Sequence, residues 1–235
     1  MPAIGQNRNR SYPQSMNMVK TLLQTGNLKL SFSIFLLILF HVSAMIGVSL
    51  SYKDWFVEKT PFTLLLAFLL LALNFPLNTN KKWLLAGIFF FTGMLAEWIG
   101  VNTGLIFGTY EYGENLGIKF DGVPYLIGVY WAVLTFITAD IAKKITGKLL
   151  LQVILGASLM VFLDYAMEVS APVFDFWTFQ GGIAPLENYI TWFIVAALLH
   201  LVYQKISPKG NFNFSLALYL VLLIFFGYFY VYYSI

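Results

Sequence analysis

Three carboxylates fall inside segments of this sequence that are long and apolar enough to cross a membrane. Glu97 lies in the run Gly93-Met-Leu-Ala-Glu97-Trp-Ile-Gly100, and Asp164 and Glu168 lie in a later apolar run. A carboxylate in the hydrocarbon core costs on the order of 3 kcal/mol, so such residues usually face the interior of a helix bundle or a wet cavity. We therefore take these three acids as the candidate catalytic residues.

Asp164 and Glu168 are four residues apart, which places both carboxylates on the same side of one helix. In a poorly solvated site two adjacent carboxylates resist ionising together, so one of them should stay protonated at neutral pH. A carboxyl kept neutral in this way can deliver a proton to a weakly basic substrate. The alternative for the pair is a divalent-metal site, although hard cations usually need several oxygen ligands. Our prediction is an acid pair without metal.

Glu97 shares a helix face with three glycines, Gly93, Gly100 and Gly104. A strip of small residues lets a neighbouring helix or a ligand approach closely. The alternative for Glu97 is a hydrogen bond between helices that only fixes their packing.

Composition identifies the class of protein that carries these acids. The 235 residues are 59% hydrophobic and 11% charged, with a mean hydropathy of +0.76, which indicates an integral membrane protein. The sequence has no cysteine, which excludes disulfides, thiolate nucleophiles and cysteine-ligated metals. We interpret residues 1–28 as a polar cytoplasmic tail and residues 29–235 as a single transmembrane helical domain.

The fold class we predict is all-α, a polytopic bundle of seven transmembrane helices. With the N-terminus inside, the inner segments carry eleven of the fourteen basic residues, which satisfies the positive-inside rule and puts the C-terminus outside. Because the basic residues fall between the spans and form no patch, we expect no nucleic-acid partner. The predicted spans are 30–50, 61–77, 83–100, 123–142, 149–169, 187–204 and 212–234.

Two long connections, 101–122 and 170–186, lie on the predicted outer side and combine glycines with aromatic residues. Glu97 lies about three residues below the outer end of its helix and Asp164 about five, so their depths differ by only ~3 Å. We therefore expect Glu97 to face the acid pair across a shared cavity that the two connections cover.

Other polar residues of the spans are weaker candidates. Asp140 precedes Lys143 and Lys144 at an inner helix end, which favours a surface ion pair. His41 and His200 are each alone in an apolar helix, where a hydrogen bond to a neighbouring helix is the usual role. The last span, 212–234, has no lysine, so a retinal Schiff base cannot form there.

Several sequence blocks, in order, resemble the membrane carotenoid biosynthesis family over roughly residues 84–204. The family includes cofactor-free hydratases of the CruF (carotenoid 1,2-hydratase) type and of the bisanhydrobacterioruberin type. In the family pattern the second acid of the pair is followed by proline, whereas Val169 stands here and Pro172 follows. The blocks are Ala96-Glu97-Trp98-Ile-Gly100-Val-Asn102-Thr103-Gly104, Phe107-Gly108-Thr-Tyr110-Glu111-Tyr112, Gly122-Val123-Pro124 with Trp131, Asp164-Tyr165-Ala-Met-Glu168, Phe176-Trp177-Thr-Phe179 and Pro185-Leu-Glu187-Asn188-Tyr189-Ile-Thr-Trp192.

The resemblance implies a cofactor-independent hydro-lyase that adds water across the terminal 1,2 double bond of an acyclic carotenoid of the lycopene or γ-carotene type. Protonation of that alkene gives a tertiary cation, so the site needs a dry acid, aromatic faces and one positioned water. The polar and aromatic residues that we expect at the substrate are Trp98, Asn102, Tyr110, Tyr112, Trp131, Tyr165, Trp177, Asn188 and Trp192.

Two alternatives remain open at this point: an end-group cyclase, which captures the same cation with an internal alkene, and a non-catalytic carotenoid or lipid carrier. In each reading the partners are a carotenoid and the lipid bilayer, with the end group in the cavity and the polyene between helices. Association with other carotenoid enzymes is a further expectation. The expected location is the bacterial inner (cytoplasmic) membrane.

Overall fold

The structure is a computed structural model that describes the backbone of residues 14–75 and 77–235, and side chains from residue 28 onward. Of the predicted tail, residues 1–13 lie outside the described residues. The helices are α1 Gln14–Ser49, α2 Lys53–Val57, α3 Thr60–Asn74, α4 Asn80–Thr103, α5 Tyr125–Ile145, α6 Leu149–Met167, α7 Leu186–Ile206 and α8 Phe212–Ser234.

Seven spans in the described part of the chain are long and apolar enough to cross a membrane, with α2 and α3 together forming the second. The predicted all-α fold class with seven transmembrane helices is confirmed. Large apolar side chains such as Phe91 and Leu69 are exposed on the outside of the bundle, as lipid contact requires. The direction in which the chain crosses the membrane stays a prediction.

Helix α5 is the centre of the bundle. It packs against α3, α4, α6, α7 and α8, and almost all its side chains from Ile127 to Ala142 are buried. The other spans bury only one face, since their remaining side chains point outward. A functional side chain on α5 can therefore reach its partners only inside the bundle.

The two long connections contain short antiparallel ladders, which the sequence did not predict. Strand β1, Tyr110–Tyr112, pairs with β4, Trp177–Phe179, and β2, Lys119–Phe120, pairs with β3, Val123–Pro124. Helix α4 ends because Gly104 adopts a left-handed conformation, with φ of 67°, that turns the chain towards β1. The β1–β4 ladder joins the two connections over the same end of the bundle.

The prediction of a surface ion pair for Asp140 is wrong. Asp140 is buried, and one of its carboxylate oxygens accepts a hydrogen bond from the Ser215 hydroxyl of α8 at 3.0 Å. The Lys143 ammonium instead donates to the backbone carbonyls of Ser207 and Pro208. The start of α8 covers the C-terminal end of α5, and this contact between distant parts of the chain removes Asp140 from the surface.

Candidate functional site

The three candidate acids line one narrow cavity beneath the β1–β4 ladder, which we call the acid cavity. Glu97 comes from α4, Asp164 from the last turn of α6, and Glu168 from the residue that caps α6. Glu97 and Asp164 are both almost fully buried. The structure thus brings together acids that lie about 70 residues apart in the chain.

Glu97 accepts hydrogen bonds from three side chains. The hydroxyls of Tyr110 and Tyr112 both donate to Oε2, at 2.5 and 2.7 Å, and the indole N–H of Trp131 donates to Oε1 at 2.9 Å. An ionised carboxylate is a pure acceptor, and donors directed at both of its oxygens favour the charged form. The three donors therefore fix the orientation of the Glu97 side chain and counteract the cost of burying its charge.

Strand geometry and a glycine explain how the donors reach Glu97. Tyr110 and Tyr112 alternate with Glu111 along β1, so both rings are buried while Glu111 points outward. On α4, a Cβ atom at Gly93 would overlap the Trp131 side chain. Close approach of α4 and α5 at this glycine is what allows the indole to reach the carboxylate.

The acid pair, Asp164 and Glu168, accepts fewer hydrogen bonds than Glu97 does. Asp164 accepts one hydrogen bond, from the Asn188 amide of α7 at 3.1 Å, and Glu168 accepts one from the Trp177 indole at 3.3 Å. Burial raises the pKa of Glu168 to about 7, and the nearby charge of Glu97 acts in the same direction. Glu168 is thus partly protonated at neutral pH.

Aromatic rings form much of the remaining wall. The indoles of Trp131 and Trp192 stack with ring centroids 3.9 Å apart at an interplanar angle of 15°. Trp177 and Phe179 of β4 close the cavity from the loop side. The two rings are in face-to-face contact, so a developing positive charge can be stabilised only at an open outer face of the stack.

Of the predicted substrate-binding residues, the acid cavity is lined by Tyr110, Tyr112, Trp131, Trp177, Asn188 and Trp192. The structure does not bring the other three to the cavity. Trp98 donates from its indole to Asp121 at 2.7 Å, Asn102 donates to the carbonyl of the same Asp121, and the Tyr165 hydroxyl pairs with that of Tyr230 at 2.9 Å.

Helix geometry explains the displacement of Trp98 and Tyr165. Each follows an acid of the cavity by one residue, and successive side chains on an α-helix diverge by about 100°. A position next to Glu97 or Asp164 in sequence therefore points away from the acid itself.

Sequence reasoning did not place Phe179 of β4 at the site, and it did not identify the four further lining residues on helices, Ile127, Tyr130, Leu134 and Met167. These four lie inside apolar spans, where an aromatic, aliphatic or methionine side chain is indistinguishable from core packing. Only the packing of α5 against α6 makes them part of the site. Among the described residues, no group of three or more His, Cys, Asp or Glu side chains is arranged to hold a metal ion.

The fold and the site define a polytopic integral membrane protein whose acid-lined, aromatic cavity lies at one end of the bundle. The family described as "Carotenoid biosynthesis protein" matches residues 59–235, about three quarters of the chain. The chain belongs to this carotenoid biosynthesis protein family, as the sequence blocks predicted. No curated protein and no solved structure gives a match.

Proposed function

We propose that this protein is a carotenoid hydratase that adds water across the terminal 1,2 double bond of an acyclic carotenoid end group. The proposal rests on one observation: the three acids share one cavity but differ in the number of hydrogen bonds they accept. Glu97 is saturated with hydrogen-bond donors, whereas Asp164 and Glu168 form a pair with one donor each. A site for acid-initiated hydration needs both a proton donor and a fixed negative charge.

The reaction begins with proton transfer from the Asp164–Glu168 pair to C2 of the terminal alkene. The π electrons form the new C–H bond and leave a tertiary cation at C1. A water molecule attacks C1 and then loses a proton to a carboxylate of the site. The product is a tertiary alcohol, the net change is the addition of one water, and no redox cofactor takes part.

Each part of the cavity has a role in this scheme. The Glu97 carboxylate and the stacked Trp131 and Trp192 rings stabilise the cation by charge and by cation–π contact. Tyr110 and Tyr112 are positioning residues, because their hydroxyls are directed at Glu97. The Asn188 amide fixes the orientation of Asp164.

The test is expression in a host that makes lycopene or γ-carotene, followed by chromatography with mass detection of the pigments. A more polar pigment heavier by one water supports hydration. An isomer of unchanged mass would instead indicate an end-group cyclase. Unchanged pigments with well-inserted protein would overturn both the hydratase and the cyclase hypotheses and favour a carotenoid or lipid carrier.

A further inference from the structure

A second cavity, larger than the acid cavity, lies beside it, and we call it the apolar chamber. It is bordered by α1, α2, α3 and α8 and by rings of the second connection, including Phe174 and Phe176. The reaction scheme above makes no use of the apolar chamber.

The apolar chamber and the acid cavity share a wall. Ile127 and Tyr130 of α5, Met167 of α6 and Trp177 of β4 line both of them. The Tyr130 hydroxyl donates to the Met167 sulfur at 3.2 Å, so the wall is closed by a weak hydrogen bond between two side chains. A methionine is unbranched and adapts its shape readily, which makes this wall easy to part.

The chemistry of the apolar chamber suits a hydrocarbon. None of the described residues that line it carries a carboxylate or an ammonium group. Two of its polar side chains bond to nearby backbone: His41 Nδ1 lies 2.8 Å from the Leu37 carbonyl oxygen, and the Thr60 hydroxyl donates to the Val57 carbonyl at 2.6 Å. Tyr130 and Trp177 donate to the Met167 sulfur and to Glu168. A ligand would therefore meet mainly rings and alkyl groups, with no charge to bind a headgroup.

The apolar chamber also has a side that faces outward. Its residues from α5, α6 and the long connections are all buried. Most of its partly exposed residues lie on α1 and on α2–α3, among them Phe40, Ala44, Thr63 and Leu64. The seam between α1 and α3 therefore borders both the chamber and the lipid side of the bundle.

We propose that the apolar chamber holds the polyene chain next to the reacting end group, and that the chain reaches it from the lipid between α1 and α3. In the bound state the shared wall of Tyr130 and Met167 opens, the end group lies among the acids, and the chain runs back through the chamber to the membrane. This inference rests on the proposed function for the identity of the substrate. It assigns α1 and α3, which carry none of the candidate acids, to substrate binding.

To test this inference, a large side chain is introduced into the apolar chamber while the residues of the acid cavity are left unchanged. Ala44→Trp places a large ring in the chamber, and Val42→Trp is the matched control, because Val42 lies on the same helix but is 45% exposed and does not line the chamber. Two substrates are compared, a long acyclic carotenoid and a short acyclic terpene with the same terminal alkene. The pigment retained by the purified proteins is measured as well.

We expect Ala44→Trp to lose at least tenfold in kcat/KM on the carotenoid and to keep turnover of the short terpene, while Val42→Trp matches wild type on both. Equal carotenoid turnover in the two variants would overturn the inference and leave the hydratase proposal intact. Loss of both substrates in a well-inserted Ala44→Trp would also contradict it, because the acid cavity should be undisturbed. If Ala44→Trp does not insert, Thr63→Trp on the opposite wall serves instead.

The pigment measurement separates this inference from the proposed function. If wild type hydrates neither substrate, the hydratase proposal fails, and the chamber is still tested by retained pigment. Ala44→Trp should then retain at least tenfold less carotenoid than Val42→Trp. Equal retention would overturn the chamber assignment.

Discussion

Replacing Glu97 with glutamine tests whether a fixed negative charge is needed in the acid cavity. The Trp131 indole can only donate, so the glutamine carbonyl must stay opposite it and the amide NH2 must face Tyr110 and Tyr112. Both hydroxyls can rotate to accept, so the side chain still fits. Exchanging charge-assisted for neutral hydrogen bonds costs about 1–3 kcal/mol of folding free energy, which a bundle of this size tolerates.

The effect of Glu97→Gln on activity should be much larger than its effect on stability. Losing one preorganised charge or proton-transfer group typically lowers kcat by about 10²–10⁴-fold. The matched control is Glu111→Gln, the same chemical change on β1 at a side chain that points away from the cavity. Both variants are assayed for hydrated pigment and for protein amount in the membrane. Turnover of Glu97→Gln within threefold of the Glu111→Gln control would refute the reasoning.

Three further predictions concern the acid pair and the packing that supports it. Asp164→Asn and Glu168→Gln should each remove most of the hydrated product without reducing membrane insertion, since both changes make insertion easier; near-normal turnover in both would exclude the pair. Because burial raises the pKa of Glu168 to about 7, its acid form is lost as pH rises, so turnover should fall about tenfold per pH unit above 7 and stay level below it. A pH profile that rises through this range would contradict the role of the Asp164–Glu168 pair as the proton donor. Gly93→Ala should displace Trp131 and lower both thermal stability and turnover. Gly87→Ala, on the same helix with open space at its Cβ, should leave turnover unchanged and keep or slightly raise thermal stability. Equal behaviour of the two variants would show that the close approach is unimportant.

The acids were identifiable from sequence because an intramembrane carboxylate is costly wherever it faces lipid. This argument selects Glu97 and Asp164 without knowledge of any neighbour. Depth can be predicted as well, because counting residues from a helix end gives the depth of a side chain to within one helical turn. The depth of each acid along its helix was therefore the feature of the site that could be predicted from the sequence.

The direction in which a side chain faces could not be read in the same way. The spans are apolar on all sides, so periodicity does not reveal their buried face, and Trp98 and Tyr165 were placed at the cavity when they point elsewhere. Asp140 shows the same limit, because its partner Ser215 lies 75 residues away. Contacts between distant spans decide these cases, and a single sequence does not contain them.

The shared wall gives α5 a role that neither cavity alone would suggest. Trp131 faces Glu97, while its neighbour Tyr130 lines both the acid cavity and the apolar chamber. Tyr130 and Trp131 are adjacent residues of α5, which is buried on all sides. A small rotation of this helix would therefore move both side chains at once. Parting the wall to admit an end group would therefore act directly on the indole that orients Glu97. In the proposed mechanism, binding of the chain and positioning of the charge are coupled through one helix.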